Sequence, residues 1–215
     1  MMNIIHFQYV IPQVFAVREE QHSDVWQQDI LFERGKTYLV EAESGKGKST
    51  FCSYLLGYRN DYSGQLLFDE VDTRSFKIAD WTLIRQQKIS HLFQELRLFP
   101  ELTALENVMI KNNLTGYKTR EEIVRWFEML GIPDKTDAKI GRMSFGQQQR
   151  VALIRCLVQP FDFLVADEPI SHLDDQNAQI MGEIMTEEAR RQGAGMIITS
   201  IGKHMDIPYD AIVKL

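Results

Sequence analysis

Over the first forty residues, apolar and polar positions alternate in short runs. Residues 4–10, 14–18, 25–32 and 37–40 each fit a strand, and Glu33-Arg34-Gly35-Lys36 is a turn before the last of them. Residues 51–56 fit a short helix stopped by Gly57, and residues 65–69 a further strand. This part predicts a small antiparallel β layer. From about Lys77 to Gly141 the period becomes helical. Residues 79–87 fit one helix. Residues 120–130 fit another, with Ile123, Val124, Phe127 and Leu130 on one face and Gly131-Ile132-Pro133 as its end. Strand-length apolar runs return at 161–166, 196–199 and 211–215. The first of these is mostly apolar, as a strand covered on both faces should be. An amphipathic helix over 176–192 separates it from the second, with Gly193 as its stop. The alternation predicts one α/β domain spanning residues 1–215, with a helical subdomain inserted at about 77–150.

Composition changes this picture little. A chain of 215 residues with 44% hydrophobic content suits one domain with an insert. The net charge of −6 and the dispersed basic residues give no support to a nucleic-acid partner. Cys52 and Cys156 have no metal-ligand spacing and read as small core residues in a reducing compartment. Residues 2–10 are too short for a membrane helix. The expectation is a soluble protein that only a partner could hold at a membrane.

Three stretches carry chemistry. The first is Ala42-Glu43-Ser44-Gly45-Lys46-Gly47-Lys48-Ser49-Thr50, a glycine loop between a buried strand and a helix. Gly45 and Gly47 let successive N–H groups turn toward phosphate oxygens, and the helix N-terminus adds partial positive charge. Ser44 through Thr50 form the expected nucleotide cradle. Lys48 reaches the β- and γ-phosphates, and Ser49 supplies a hydroxyl to Mg2+. Ala42 departs from the pattern G-x-x-x-x-G-K-S/T, which has glycine there.

The second stretch is Leu164-Val165-Ala166-Asp167-Glu168-Pro169, an apolar strand ending in two carboxylates. Asp167 suits the metal, through a water, and Glu168 suits activation of the attacking water. The third is Met143-Ser144-Phe145-Gly146-Gln147, which opens a helix and offers a second anion site. One nucleotide does not need two such helices from one chain. That excess suggests nucleotides held between two protomers.

In motif order and spacing the chain resembles an ABC-type ATPase, the nucleotide-binding subunit of ABC transporters, over essentially its whole length. The resemblance implies a P-loop NTPase (RecA-like) core that binds ATP and Mg2+. The family's signature L-S-G-G-Q corresponds to Met143 through Gln147, with Phe145 in place of a glycine. By resemblance, Ser144, Gly146 and Gln147 would act on the nucleotide of the opposite protomer. Leu92-Phe93-Gln94 resembles the Q-loop, whose Gln94 would ligate Mg2+ and sense the transporter. Residues 98–108 match the segment lining the groove for a permease's coupling helix. Ser171-His172-Leu173-Asp174 resembles the D-loop, whose Asp174 would cross to the other protomer. Phe15 is the aromatic expected to stack on adenine, with Tyr9 as the alternate. The family's switch histidine corresponds to Ser200, which cannot carry its charge. His204, four positions on, is the alternative.

The resemblance therefore implies an ATP-hydrolysing subunit, homodimeric or paired with a second ATPase subunit. It would be cytoplasmic and peripheral on the inner membrane face through a permease, and is most similar to small exporter or lipoprotein-release subunits. Ala42, Phe145 and Ser200 motivate a second reading, a slow or non-hydrolysing ATP-dependent dimerisation switch acting on a membrane partner. A DNA-repair or ribosome-acting relative fits less well, because neither a long coiled-coil insert nor a second ATPase half is present.

Overall fold

The computed structural model describes residues 1–16, 22–43 and 45–215. Strand β1 (Ile4–Pro12) pairs antiparallel with β2 (Asp29–Glu33) on one edge and with β4 (Tyr62–Phe68) on the other. The two-residue β5 (Val71–Asp72) completes this sheet, in the order β2-β1-β4-β5. A second sheet is wholly parallel. It contains β3 (Thr37–Glu41), β6 (Ile89–Leu92), β7 (Phe163–Asp167), β8 (Gly195–Ser200) and β9 (Ala211–Lys214), in the order β6-β7-β8-β3-β9.

Side chains of the parallel sheet alternate between two cores, as the twofold strand period requires. Tyr38, Val40, Phe163, Val165 and Ile197 face the antiparallel layer. Between the two sheets lies helix α1 (Lys48–Leu55), whose Phe51 stacks on Phe7 with ring centroids 5.2 Å apart. Leu39, Leu164, Ala166, Met196 and Ile198 face the other way. They meet α5 (Phe145–Leu157) and α6 (Asp175–Gln192), through side chains such as Ile154 and Met181. Helices α3 (Ala104–Asn112) and α4 (Arg120–Met129) join this second core through Val108, Ile123 and Phe127. Ahead of α4, Lys118 ties the helical part to α6 by a buried ion pair, Nζ to Glu188 Oε2 at 2.8 Å.

The α/β architecture with an antiparallel layer is as expected, and four local expectations are corrected. Pro12 ends β1, and Gln13–Phe15 form a 3-10 turn where a strand over 14–18 was expected; residues 17 and 18 lie outside the described part. The expected strand over 25–32 begins at Asp29, because Ser23 Oγ accepts from Val25 N and Trp26 N at 3.1 and 2.8 Å and holds a turn. Strand β3 belongs to the parallel sheet, not to the antiparallel layer. The helical stretch expected from Lys77 is interrupted: α2 (Ile78–Gln87) is followed by β6, the edge of the parallel sheet beside β7.

Candidate functional site

The phosphate loop leaves the C-terminal end of β3 and turns into α1. Gly45 and Gly47 both take left-handed backbone, with φ of +80° and +106°. At Gly47, the N-cap of α1, a Cβ would lie 2.7 Å from Cε2 of Phe15, so no larger residue fits without moving that ring. Lys48 follows at the first helical position and is only 7% exposed. Its Nζ donates to the Ala42 carbonyl at 3.2 Å and lies 3.4 Å from Glu168 Oε1. Ala42 N in turn donates to the Ser200 carbonyl at 3.1 Å, which fastens the start of the loop to the end of β8. Ser44 lies outside the described residues.

A cavity of about 380 Å³ opens on this loop. Gly45, Gly47, Lys48, Ser49 and Thr50 line it from below, with Phe15, Gln94 and Glu168 around the sides. With Ile201 after β8, five segments far apart in sequence meet where the parallel strands end. Lys46 lies on the neighbouring face, beside Glu41 and Gly202. Of the two aromatic alternatives, Phe15 borders the cavity and is 7% exposed; Tyr9 is 63% exposed, on an irregular stretch of β1 at φ +51°.

Asp167 ends β7 and is buried, opposite Thr199 of β8. Burial pushes its carboxyl above the usual range, and the neighbouring Glu168 charge adds to this. The Thr199 hydroxyl donates to Asp167 Oδ1 and opposes the shift. Glu168 has φ of +49°, a left-handed conformation costing about 1 kcal/mol or more in a non-glycine residue. Its surroundings hold it there. Glu168 N donates to the Thr199 carbonyl at 3.2 Å, and Ser171 Oγ donates to the Glu168 carbonyl at 3.2 Å. Gln149, buried on α5, donates to the Pro169 carbonyl at 2.5 Å.

For a metal, the oxygen donors Ser49, Gln94 and Glu168 share the cavity, and Asp167 stands next in sequence on the same strand end. Among the described residues there is no group of three His, Cys, Asp or Glu that could cage an ion. Hard oxygens with few carboxylates fit Mg2+, which takes its remaining ligands from phosphates and water. Two and three residues after Gln94, Leu96 and Arg97 both take positive φ, +59° and +50°. Arg155 of α5 donates to the carbonyls of both. No motif points to Arg155, because its partners lie 58 and 59 residues away in the chain.

The remaining expected residues form a second group. Ser144 is the N-cap of α5: its Oγ accepts from Gln147 N at 3.3 Å, and Gln147 Oε1 accepts from Ser144 N at 3.0 Å. Phe145 stands edge-on to His172, with centroids 4.5 Å apart. A Cβ on Gly146 would be 3.4 Å from Leu173 Cδ2. Asp174 caps α6, accepting from Asn177 N at 2.9 Å and from Asn177 Nδ2 at 2.7 Å, and these bonds hold its carboxyl below the usual range. Ser144, Gly146, Gln147 and Asp174 do not line the phosphate-loop cavity.

Ser200 is buried at the end of β8, and its hydroxyl donates to the Lys203 carbonyl at 2.5 Å. His204 Nε2 is 2.7 Å from Glu41 Oε1. Among the described residues, no helix is long and apolar enough to cross a membrane.

Residues 27–171 match the family model described as ABC transporter. The lipoprotein-releasing system ATP-binding protein LolD of Syntrophus aciditrophicus (strain SB) is 31% identical over 175 residues, covering 80% of this chain and 78% of that protein. The methionine import ATP-binding protein MetN 2 of Rhodococcus jostii (strain RHA1) is 30% identical over 210 residues, covering 96% of this chain and 61% of that protein. Among solved structures, the dimeric post-hydrolysis state of the ATP-binding cassette MJ0796 bound to ADP and Pi is similar with a TM-score of 0.77. It is 25% identical, and the match covers 91% of this chain and 87% of that one.

Proposed function

The chain belongs to the ABC transporter family as an ATP-binding subunit, and from that premise we propose that it hydrolyses ATP to drive a membrane permease. The observation that carries this reading is the meeting of Lys48 and Glu168, 3.4 Å apart, on the cavity formed by the phosphate loop. A cation for the phosphates and a carboxylate for the attacking water are thereby set side by side.

In this reading the amides of Gly45 through Thr50 hold the phosphates, with Ser44 completing the loop. Lys48 binds the β- and γ-phosphoryl oxygens. Ser49, Gln94 and Asp167 hold Mg2+, which when bound neutralises charge on those oxygens. Glu168 orients the water and takes its proton. Phe15, at the rim, stacks on the base.

Ser144, Gly146, Gln147 and Asp174 stand apart from this cavity, which supports their acting on the nucleotide of a second protomer. That protomer is a second copy or a paired ATPase subunit, and two nucleotides sit between the pair. The permease docks along 98–108 and keeps the subunit on the cytoplasmic face of the membrane. Nucleic acid has no part in this reading. The helical subdomain, in the stretch of about 77–150 and after β6, carries the permease-facing surface.

A specific observation favours a slower enzyme or a binding switch. The Ser200 hydroxyl is bonded to Lys203, and His204 is paired with Glu41. Neither offers the γ-phosphate the cation that the family usually places after this strand. Steady-state ATPase of the wild type and of Glu168→Gln separates the readings. Faster turnover by the wild type supports the transport motor; equal rates leave the ATP-dependent dimerisation switch.

A further inference from the structure

Lys203 occupies a place that no motif assigns. Its side chain leaves the loop after β8 and reaches the segment between β7 and α6. There Nζ donates to the Leu173 carbonyl at 2.7 Å and lies 3.3 Å from Asp175 Oδ1. Its own carbonyl accepts from Ser200 Oγ at 2.5 Å, and the Ser200 carbonyl accepts from Ala42 N at 3.1 Å. Lys203 thus joins the end of β8 to residues 171–175, and Ser200 carries the link on to the start of the phosphate loop.

Residues 171–175 are also fastened to the Glu168 backbone. Ser171 N and Oγ both donate to the Glu168 carbonyl, at 3.4 and 3.2 Å. On the other side, Phe145 packs its ring edge-on to His172. The ion pair with Asp175 contributes little to stability, because the two side chains are 43% and 98% exposed and water screens them. The bond to the carbonyl of buried Leu173 is the directional one. What Lys203 supplies is geometry, more than fold stability.

We propose that Lys203 is a positioning residue for ATP hydrolysis. It holds residues 171–175 and, through Ser171, sets the backbone of Glu168 in its left-handed seat. In this chain the cation after β8 acts on the protein's own loop, whereas a histidine at Ser200 would act on phosphate. The inference rests on the ATPase reading above.

The test uses the full chain as wild type, Lys203→Met, Lys203→Arg and Glu168→Gln. Lys203→Met should lower kcat about tenfold while leaving KM for MgATP and affinity for a fluorescent ATP analogue within about twofold. Lys203→Arg should restore at least about half of the lost rate, because a guanidinium can still donate to the Leu173 carbonyl. Amide hydrogen exchange across 171–175 should quicken in Lys203→Met and not in Lys203→Arg. Unchanged kcat in Lys203→Met beside an active wild type overturns the positioning role alone, as does unchanged exchange across 171–175. Equal loss of kcat and nucleotide affinity in both variants also overturns it, by showing a general structural role. A wild type no faster than Glu168→Gln overturns the ATPase reading and, with it, this role in the reaction.

Discussion

Lys48 Nζ stands 3.4 Å from Glu168 Oε1, and the two side chains are 7% and 10% exposed. A phosphate arriving in the cavity therefore competes with a carboxylate for the same ammonium. Removing the ammonium by Lys48→Ala should weaken ATP binding at least about a hundredfold, the loss expected for a buried charge-assisted contact. Binding of a fluorescent ATP analogue at micromolar concentration reads this directly. Affinity equal to wild type would place the nucleotide elsewhere.

The same contact gives Glu168→Gln two opposite effects. Turnover should fall by at least about a hundredfold, as loss of a general base commonly produces. Affinity for ATP should rise, because Lys48 no longer faces a competing charge. Titration of the variant with MgATP, beside its steady-state rate, checks both; a weaker affinity would mean that Glu168 binds nucleotide more than it competes for Lys48.

Ser200 ends β8 beside Ala42, its carbonyl accepting from Ala42 N at 3.1 Å. If this position faces the γ-phosphate, Ser200→His should raise kcat several-fold, because an imidazole can donate to the phosphate with partial charge. A drop or no change would assign the role to His204 or to the loop that Lys203 holds.

His91 gives the fold an acid-sensitive component. Burial, with Lys111 and Arg97 nearby, pushes its pKa down to about 3. Neither ring nitrogen has a hydrogen-bond partner among the described residues. The folded state therefore holds a neutral ring, while the unfolded chain takes up a proton below about pH 6.5. Stability from this group is complete above that value and is lost progressively as pH falls toward 3. Asp167, whose carboxyl is pushed up by burial, acts in the opposite sense: its ionisation weakens the fold as pH rises. Urea melts between pH 4 and 6.5 should show a shallower decline in His91→Leu than in wild type. Parallel curves would show that the ring is protonated in the folded state.

Much of this site was legible because its chemistry is local. The glycines of the phosphate loop, the carboxylates after an apolar strand and the capped helix at Ser144 each announce themselves within a few residues. Strand β6 did not, because two of its four residues, Ser90 and His91, are polar yet buried. Burial of Ser90 depends on a distant partner, the Cys156 carbonyl to which its hydroxyl donates, while the His91 ring packs on nearby Phe93. Helix α3 falls within the stretch of helical period but is not marked off there as an element of its own, although its signal is local. Thr103 and Glu106 form a full capping box, with bonds of 3.2 and 2.7 Å. The turn at Gln13–Phe15 reads as strand in the sequence because Val14 and Phe15 favour strands, while Pro12 and the fit of Phe15 against Gly47 decide otherwise. The contacts of Lys203 and Arg155 are tertiary, and no spacing rule reaches them.

The strand that carries the phosphate loop has neighbours of one kind only. Thr37–Glu41 pair with Gly195–Ser200 on one side and with Ala211–Lys214 on the other. Both partners are made late in synthesis. A ribosome that has produced the first half of the protein has released the loop's glycines and lysine, but no ladder on which to hang them. Nascent chains halted before residue 195 should fail to retain ATP, and the long wait for β8 leaves an apolar strand exposed to chaperones and to aggregation.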